Sequence, residues 1–194
     1  VYDNAMFLIA LDYLLEMAPD SPQAPRWRSL REGIAKNVRT HLWDEKRQKF
    51  IPHIYPEKSP IPEGFDELAI HYHGGTAIAI EAGLLSKDEI RTVNAQMLEN
   101  VRLSGMPSIG LTLYPVYPDG FFHGGMSKAY LYQNGGDWTW FGGRMIQQLV
   151  VNGMVEEAYA EIHPMIERVI QNDGFYEWYG KGGVPSGSGN FKGS

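Results

Sequence analysis

The feature that most constrains the fold of this chain is a repeat of two helical patterns, one apolar on several faces and the next amphipathic. The apolar patterns begin near Asp3, Thr76 and Asp137, at intervals of 73 and 61 residues. A helix that is apolar on most faces is buried, whereas a helix with a single apolar stripe lies at a surface. The repeat therefore predicts three helical hairpins with the first helices in an inner ring and the second helices in an outer ring. A helical solenoid has the same alternation and stays an alternative, although solenoid repeats are usually shorter, about 20–45 residues.

Hydrophobic periodicity sets the bounds of the individual elements. Ser86 and Glu89 form a capping box that opens the fourth helix. A small β-hairpin or extended loop is predicted at 43–54, prolines exclude regular structure from 56 to about 64, and an irregular, aromatic-rich loop covers 104–130. The predicted helices span residues 3–17, 25–42, 75–84, 87–101, 137–151 and 154–171.

The last of these helices has a clear amphipathic pattern. Its apolar residues recur at three- and four-residue spacing, so one face is expected to pack on the core and the other to meet water. The predicted inward residues are Val155, Ala158, Ile162, Met165, Ile166 and Val169. The predicted outward residues are Glu156, Glu157, Glu161 and Glu167.

The composition excludes several classes of partner. The formal net charge is −6 and Lys and Arg do not cluster, so nucleic acids and anionic membranes have no electrostatic basis as partners. The absence of cysteine excludes disulfides and thiolate metal sites. No apolar run approaches about 20 residues, so no segment is predicted to span a membrane. A neutral ligand fits this composition best, and the cellular compartment and the oligomeric state stay open.

The two ends of the sequence predict a piece of a longer enzyme. The chain begins at Val1 inside the first helical pattern, without an initiating Met or a signal peptide, and it stops at Ser194 in a Gly- and Ser-rich run. We therefore expect residues 1–194 to form a partial catalytic domain. Any export signal would lie upstream of Val1.

The segment 132–141, with the sequence YQNGGDWTWF, has the composition of a sugar-binding loop. The indole faces of Trp138 and Trp140 can pack on the apolar C–H side of a pyranose, and Asn134 and Asp137 can bind its hydroxyls. Two consecutive glycines let the backbone approach a ligand closely. The alternative is an ordinary helix start with two core tryptophans.

Three short motifs resemble the second half of the six-hairpin glycosidases. They are YQNGGDW at 132–138, DGFYEWY at 173–179 followed by a Gly/Ser loop, and the helix start YDNA at 2–5. This group includes glycogen-debranching glucosidases, processing α-glucosidases and mannosylglycerate hydrolases. The resemblance implies an all-α (α/α)6 toroid, of which this chain supplies about three hairpins with long loops and minor β-structure. It also implies glycoside hydrolase activity.

The resemblance further implies an inverting hydrolysis by two carboxyl groups, one protonating the glycosidic oxygen and one activating water. In such enzymes a Glu in a Phe-x-Glu-x-Tyr-like setting often serves as the base, and Glu177 matches that setting. The acid lies upstream of Val1 or else at Asp3 or Asp137. The alternative for Glu177 is a solvent-facing residue on a short strand, and the alternative for Asp137 is a carboxylate that complements a helix dipole.

Substrate contacts are predicted where the loops lead into the inner helices, because aromatic and polar residues collect there, and the expected partner is a carbohydrate. His71, His73 and His123 do not have the spacing of a catalytic zinc site, so no metal and no cofactor is predicted. A toroidal sugar phosphorylase, a sugar epimerase and a non-catalytic glycan-binding toroid stay open as alternatives to a hydrolase. The predicted substrate-binding residues are Tyr2, Asn4, Asp66, His73, Tyr117, Tyr132, Gln133, Asn134, Trp138, Trp140 and Trp178.

Overall fold

The computed structural model describes residues 1–187, in which six α-helices are joined by loops and three two-stranded antiparallel sheets. Within these residues no helix is both long and apolar enough to cross a lipid bilayer. Strand β1 pairs with β2, β3 with β4 and β5 with β6. The helices are α1 (Tyr2–Met17), α2 (Ala24–Leu42), α3 (His73–Glu81), α4 (Lys87–Ser104), α5 (Thr139–Val151) and α6 (Val155–Gln171). The strands are β1 (Trp43–Asp44), β2 (Lys49–Phe50), β3 (His71–Tyr72), β4 (Leu113–Tyr114), β5 (Trp178–Tyr179) and β6 (Pro185–Ser186).

The helices follow one another in the predicted order, and two of the predicted hairpins pack directly. α1 packs on α2, α5 packs on α6, and the first helices of the hairpins pack side by side as α1, α3 and α5. α3 is buried at seven of its nine residues, as expected of an inner helix. α4 joins the same core through Ile90, Val93 and Met97. The architecture is therefore all-α with an inner and an outer layer, which confirms the fold class predicted from the repeat.

α4 is capped at both ends by residues of its own sequence. The Ser86 hydroxyl accepts a hydrogen bond from the Glu89 N–H, and the Glu89 carboxylate accepts one of 2.7 Å from the Ser86 N–H. These two bonds confirm the predicted capping box. At the other end Gly105 adopts a φ of 68°, a left-handed conformation that glycine tolerates well. The helix consequently runs to Ser104 and not only to the predicted Val101.

Two inner helices differ from their predicted bounds. α5 begins at Thr139 because the backbone of Asp137 is extended and pairs with Tyr179. The Asp137 N–H donates to the Tyr179 carbonyl at 2.9 Å, and the Tyr179 N–H donates to the Asp137 carbonyl at 2.7 Å. Asp137 therefore lies before the helix, and the predicted helix-dipole role does not apply to it. α3 is shorter than predicted and ends at Glu81, before the left-handed Gly83.

The inward face of α6 is only partly the predicted one: Ala158 and Met165 are buried as predicted, but the neighbouring positions are not. Val155 and Ile166 are 59% and 49% exposed, whereas Glu161 and Arg168 are each 4% exposed. The sequence pattern locates an apolar stripe, but it does not show which side of the helix meets its neighbours. That side is set by polar contacts from Glu161 and Arg168 to residues outside the helix. The buried residues of α6 are Ala158, Glu161, Met165 and Arg168.

Candidate active site

A cavity of about 650 Å³ lies where the N-terminal ends of α1, α3 and α5 meet. The start of α1 contributes Tyr2 and Asp3, the start of α3 contributes residues 74–76, and the start of α5 contributes Phe141. The three inner helices therefore direct their N-terminal ends toward one concavity, as the toroid interpretation predicts. Unpaired backbone N–H groups and positive helix-dipole ends make such a place favourable for ligand oxygens.

Of the two glycines at the start of α3, Gly74 sets how closely the inner helices approach. A methyl group at Gly74 would collide with the ring of Phe141 on α5. A methyl group at Gly75 would lie 3.9 Å from the Cβ of Tyr2 on α1, which is an ordinary contact distance. Gly74 is therefore required for the close approach of α3 to α5 beside the cavity.

An aromatic belt leads from this cavity toward β5. Neighbouring rings in the belt have centroid separations of 4.9 to 6.3 Å, within the range of favourable aromatic contacts. Trp138 and Trp140 are half-buried, so part of each indole stays accessible. In spatial order the aromatic belt consists of Tyr2, Trp140, Phe141, Trp138, Tyr132 and Trp178.

Glu177 lies next to the far end of the aromatic belt, immediately before β5. Its side chain is half-buried and packs so closely on Gly187 that a methyl group at Gly187 would collide with it. The backbone pair of Asp137 with Tyr179 holds β5 beside the loop that precedes α5. This pairing places Trp138 on a backbone segment next to that of Trp178, the residue that follows Glu177.

Asp137 lies beneath the loop before α5 and not in the cavity. Its side chain is fully buried, forms an ion pair of 2.8 Å with Arg168 and accepts a hydrogen bond of 2.7 Å from the Ser108 hydroxyl. The Arg168 guanidinium also stacks 3.8 Å from the centre of the Tyr179 ring. A carboxylate enclosed in this way cannot reach a substrate, which argues against the catalytic option for Asp137. We assign it a structural role, in which it ties α6 to β5 and to the loop before α5.

Four predicted substrate-binding residues are also buried: His73, Tyr117, Asn134 and Trp178 are 2%, 1%, 0% and 8% exposed. The Asn134 side chain accepts a hydrogen bond of 2.9 Å from the Tyr117 N–H and donates one of 3.1 Å to the Tyr117 carbonyl. His73 Nε2 lies 3.1 Å from Asn100 Nδ2, and burial lowers the pKa of His73 to about 3, so the ring stays neutral. These side chains bind the protein itself and brace the loops around the cavity.

The remaining predicted residues differ in their access to the cavity. Tyr2, Asp3 and Gln133 line it, and Asp3 is therefore the predicted catalytic carboxylate that faces it directly. Asn4 and Asp66 are exposed but do not line the cavity. Within residues 1–187 no group of three or more His, Asp and Glu side chains is arranged to hold a metal ion.

Glu67, the neighbour of the predicted substrate contact Asp66, organises one wall of the cavity. Its Oε1 accepts hydrogen bonds from His53 Nδ1 at 2.7 Å, from the Tyr117 hydroxyl at 2.8 Å and from the Tyr55 hydroxyl at 2.9 Å. The Tyr72 hydroxyl lies 3.0 Å from that of Tyr117 and extends the network. His53 and Tyr72 line the cavity, so this network fixes two of its polar side chains.

The hydrogen bonds of this network keep Glu67 ionised. Partial burial alone would raise its pKa, but the hydrogen bonds from His53, Tyr117 and Tyr55 outweigh burial and lower the pKa below its ordinary value. Burial and the carboxylate together raise the pKa of Tyr55 to about 12. The members of the network come from four separate segments of the chain, so no local sequence pattern marks it.

The fold matches that of solved glycoside hydrolases. One is the GH63 mannosylglycerate hydrolase from Thermus thermophilus in complex with Tris and D-glycerate, at a TM-score of 0.65 and 16% identity. The same hydrolase in complex with glucose matches at a TM-score of 0.68 and 16% identity. This chain has their fold. The match covers 95% of this chain in both cases, but only 41% and 40% of the hydrolase chains, so the chain spans less than half of their length.

A structure described as an uncharacterized conserved protein from the same organism gives a TM-score of 0.69 at 15% identity, over 95% of this chain and 42% of its own. No protein-family model and no curated protein matches the sequence. The six-hairpin glycosidase resemblance is thus confirmed for the fold. A shared fold does not by itself carry an activity, which has to follow from the residues of the site.

Proposed function

We propose that this chain forms part of a glycoside hydrolase that binds its sugar in the cavity and along the aromatic belt. The observation that carries the proposal is the convergence of three inner-helix N-terminal ends on a cavity from which the aromatic belt leads to Trp178, the neighbour of Glu177 in the chain. The matched hydrolase structures hold glucose in one case and Tris with D-glycerate in another, which supports a polyhydroxylated ligand here.

The chemistry of the cavity suits a pyranose. Tyr2 and Phe141 offer apolar ring faces for the C–H side of a sugar, and Gln133 and Asp3 offer polar groups for its hydroxyls. His53 is a further polar wall residue, held in one orientation by its bond to Glu67. A neutral, hydroxyl-rich ligand can therefore find both kinds of contact in one place.

Glu177 is the proposed general base. In an inverting hydrolysis the base removes a proton from water, the water oxygen attacks the anomeric carbon, the glycosidic C–O bond breaks, and the leaving oxygen takes a proton from the acid. The close packing of Glu177 on Gly187 restricts the positions open to its carboxylate. Asp3 is the candidate acid within this chain, and the other option is an acid supplied by a segment outside it.

The proposal is tested on the intact protein with a panel of α- and β-linked glucosides, mannosides and glycosyl glycerates, followed by proton NMR. We expect release of a free sugar whose first-formed anomer has the opposite configuration to that of the substrate. Turnover that requires inorganic phosphate would instead indicate a phosphorylase. Binding of these sugars without turnover would indicate a glycan-binding toroid, and either result would overturn the hydrolase proposal.

A further inference from the structure

A narrow groove of about 270 Å³ separates the outer helices α4 and α6, away from the cavity described above. Its walls are largely apolar and include Leu98 and Val101 from α4, Ile109 from the following loop and Pro164 from α6. Glu161 of α6 brings a buried carboxyl group into this apolar lining, and Glu157 one turn earlier brings an exposed one. The groove therefore combines a small apolar volume with two acidic side chains, the buried Glu161 and the exposed Glu157.

Only one of the two carboxyl oxygens of Glu161 has a hydrogen-bond partner among the described residues. Glu161 is 4% exposed, and its Oε1 accepts a hydrogen bond of 2.7 Å from Asn94 Nδ2 on α4. Its Oε2 and the Asn94 Oδ1 have no hydrogen-bond partner among residues 1–187. Two buried acceptors without a donor are costly, so this place favours a ligand that supplies one.

The charges around Glu161 do not supply that donor. On α6 the facing charge is the carboxylate of Glu157, which also lines the groove. Burial is the main cause that raises the pKa of Glu161 to about 7, and the charge of Glu157 also raises it. On α4 the facing group is the neutral Asn94. On the loop after α4 the facing group is the Ser108 hydroxyl, which donates a hydrogen bond to Asp137 and accepts one from Arg168. The guanidinium of Arg168 is already paired with Asp137.

We propose that the groove is a binding site for a small organic cation, an alkylammonium whose N–H groups donate to Oε2 of Glu161 while its alkyl chain packs on Leu98, Val101 and Ile109. A carboxylate at the base of an apolar groove is complementary to a positive group attached to a short hydrocarbon. The site is separate from the cavity at the inner-helix ends, and its existence does not depend on the hydrolase proposal.

The test uses the intact protein and n-butylammonium chloride, with n-butanol and sodium butyrate as probes of similar shape and different charge. We expect calorimetric binding and an increase in Tm with the ammonium only. Between pH 6 and pH 8 the alkylammonium stays charged, whereas the ionised fraction of Glu161 rises about tenfold. The affinity for butylammonium should therefore rise by about tenfold over the same pH range. Equal binding of butanol, or binding that does not depend on pH, would overturn the proposal.

Three variants complete the test. Glu161→Gln should weaken butylammonium binding at pH 8 by tenfold or more, whereas Glu167→Gln, on the exposed part of the same helix, should leave it unchanged. Ala160→Phe adds a ring to the groove without touching Glu161 and should block binding. Unchanged affinity in both Glu161→Gln and Ala160→Phe, with Tm showing that both are folded, would rule out this groove as the site.

Discussion

Individual carboxylates in this chain have roles set by the groups that surround them. Glu177 is half-buried beside aromatic residues and a close glycine, and Asp3 faces an open cavity. Asp137 is enclosed with a cation, and Glu67 is held by three donors. Of these four carboxylates only Asp3 lines the cavity, and Glu177 is the proposed base, so the residue-scale predictions separate catalytic loss from structural loss.

Glu177→Gln removes the basic oxygen while it keeps the size of the side chain. If Glu177 is the general base, kcat on the substrate found in the glycoside panel should fall by about 10²–10⁴ with KM nearly unchanged. The exposed Glu156 provides the control, because Glu156→Gln should leave both constants as they are. A Glu177→Gln enzyme with wild-type kcat would remove Glu177 from the mechanism and direct attention to Asp3.

Asp137→Asn leaves Arg168 buried without its counter-charge. We expect a loss of about 3–5 kcal/mol in the free energy of unfolding, measured by urea denaturation, because a buried ion pair that loses one partner leaves an uncompensated charge. The matched control is Asp88→Asn, an aspartate whose ion pair with Arg91 is exposed and whose loss should change stability little. An Asp137→Asn enzyme with wild-type stability and a large fall in kcat would restore the catalytic interpretation.

Helices in this fold meet through a few positions that decide spacing and orientation. At the cavity, α3 approaches α5 because Gly74 has no side chain. On the outer layer, α6 buries Glu161 and Arg168, although the apolar residues Val155, Ile162 and Ile166 of the same helix are exposed. Contacts at these few positions therefore determine how the helices pack more than the distribution of apolar residues along each helix does.

Gly74→Ala and Gly75→Ala form a matched pair at the start of α3. The methyl group of Gly74→Ala would collide with Phe141, and such overpacking should lower stability by about 1–3 kcal/mol and disturb the cavity wall. The methyl group of Gly75→Ala meets only ordinary contacts, so the helix preference for alanine should leave stability unchanged or raise it by about 0.5–1 kcal/mol. Thermal unfolding of the two variants checks this, and equal stability in both would contradict the observed helix spacing.

Glu161 should make stability fall as pH rises. Its pKa is about 7 in the folded protein and 4.5 ordinarily, so the folded protein holds this proton more tightly than the unfolded chain does. The resulting stabilisation is fully present below about pH 4.5 and is lost as the pH passes through about 7. Glu161→Gln should therefore match the wild type near pH 4 and exceed it by up to about 3 kcal/mol at pH 8.

Urea denaturation from pH 4 to pH 8 measures this difference. Glu156→Gln, an exposed substitution on the same helix, should follow the wild-type curve in shape. A Glu161→Gln curve parallel to that of the wild type would show that Glu161 is ionised at neutral pH in the folded protein.

At the scale of the whole molecule, the site is assembled from elements that are distant in sequence. The cavity takes residues from three hairpins, and the belt continues from the start of α1 to β5. The matched hydrolases share this arrangement of helices over less than half of their length. The proposed acid and base therefore need not both belong to the segment described here.

The sequence by itself determined the helical hairpins, the α4 capping box and the collection of aromatic residues at the inner-helix starts. Periodicity and capping act within a few residues of one another, so a local pattern is enough to predict them. Only the tertiary structure decided that Asp137 is enclosed by Arg168, that Glu67 is joined by His53, and which face of α6 turns inward. Burial and charge pairing depend on partners many residues away in the chain, and therefore no local pattern could reveal them.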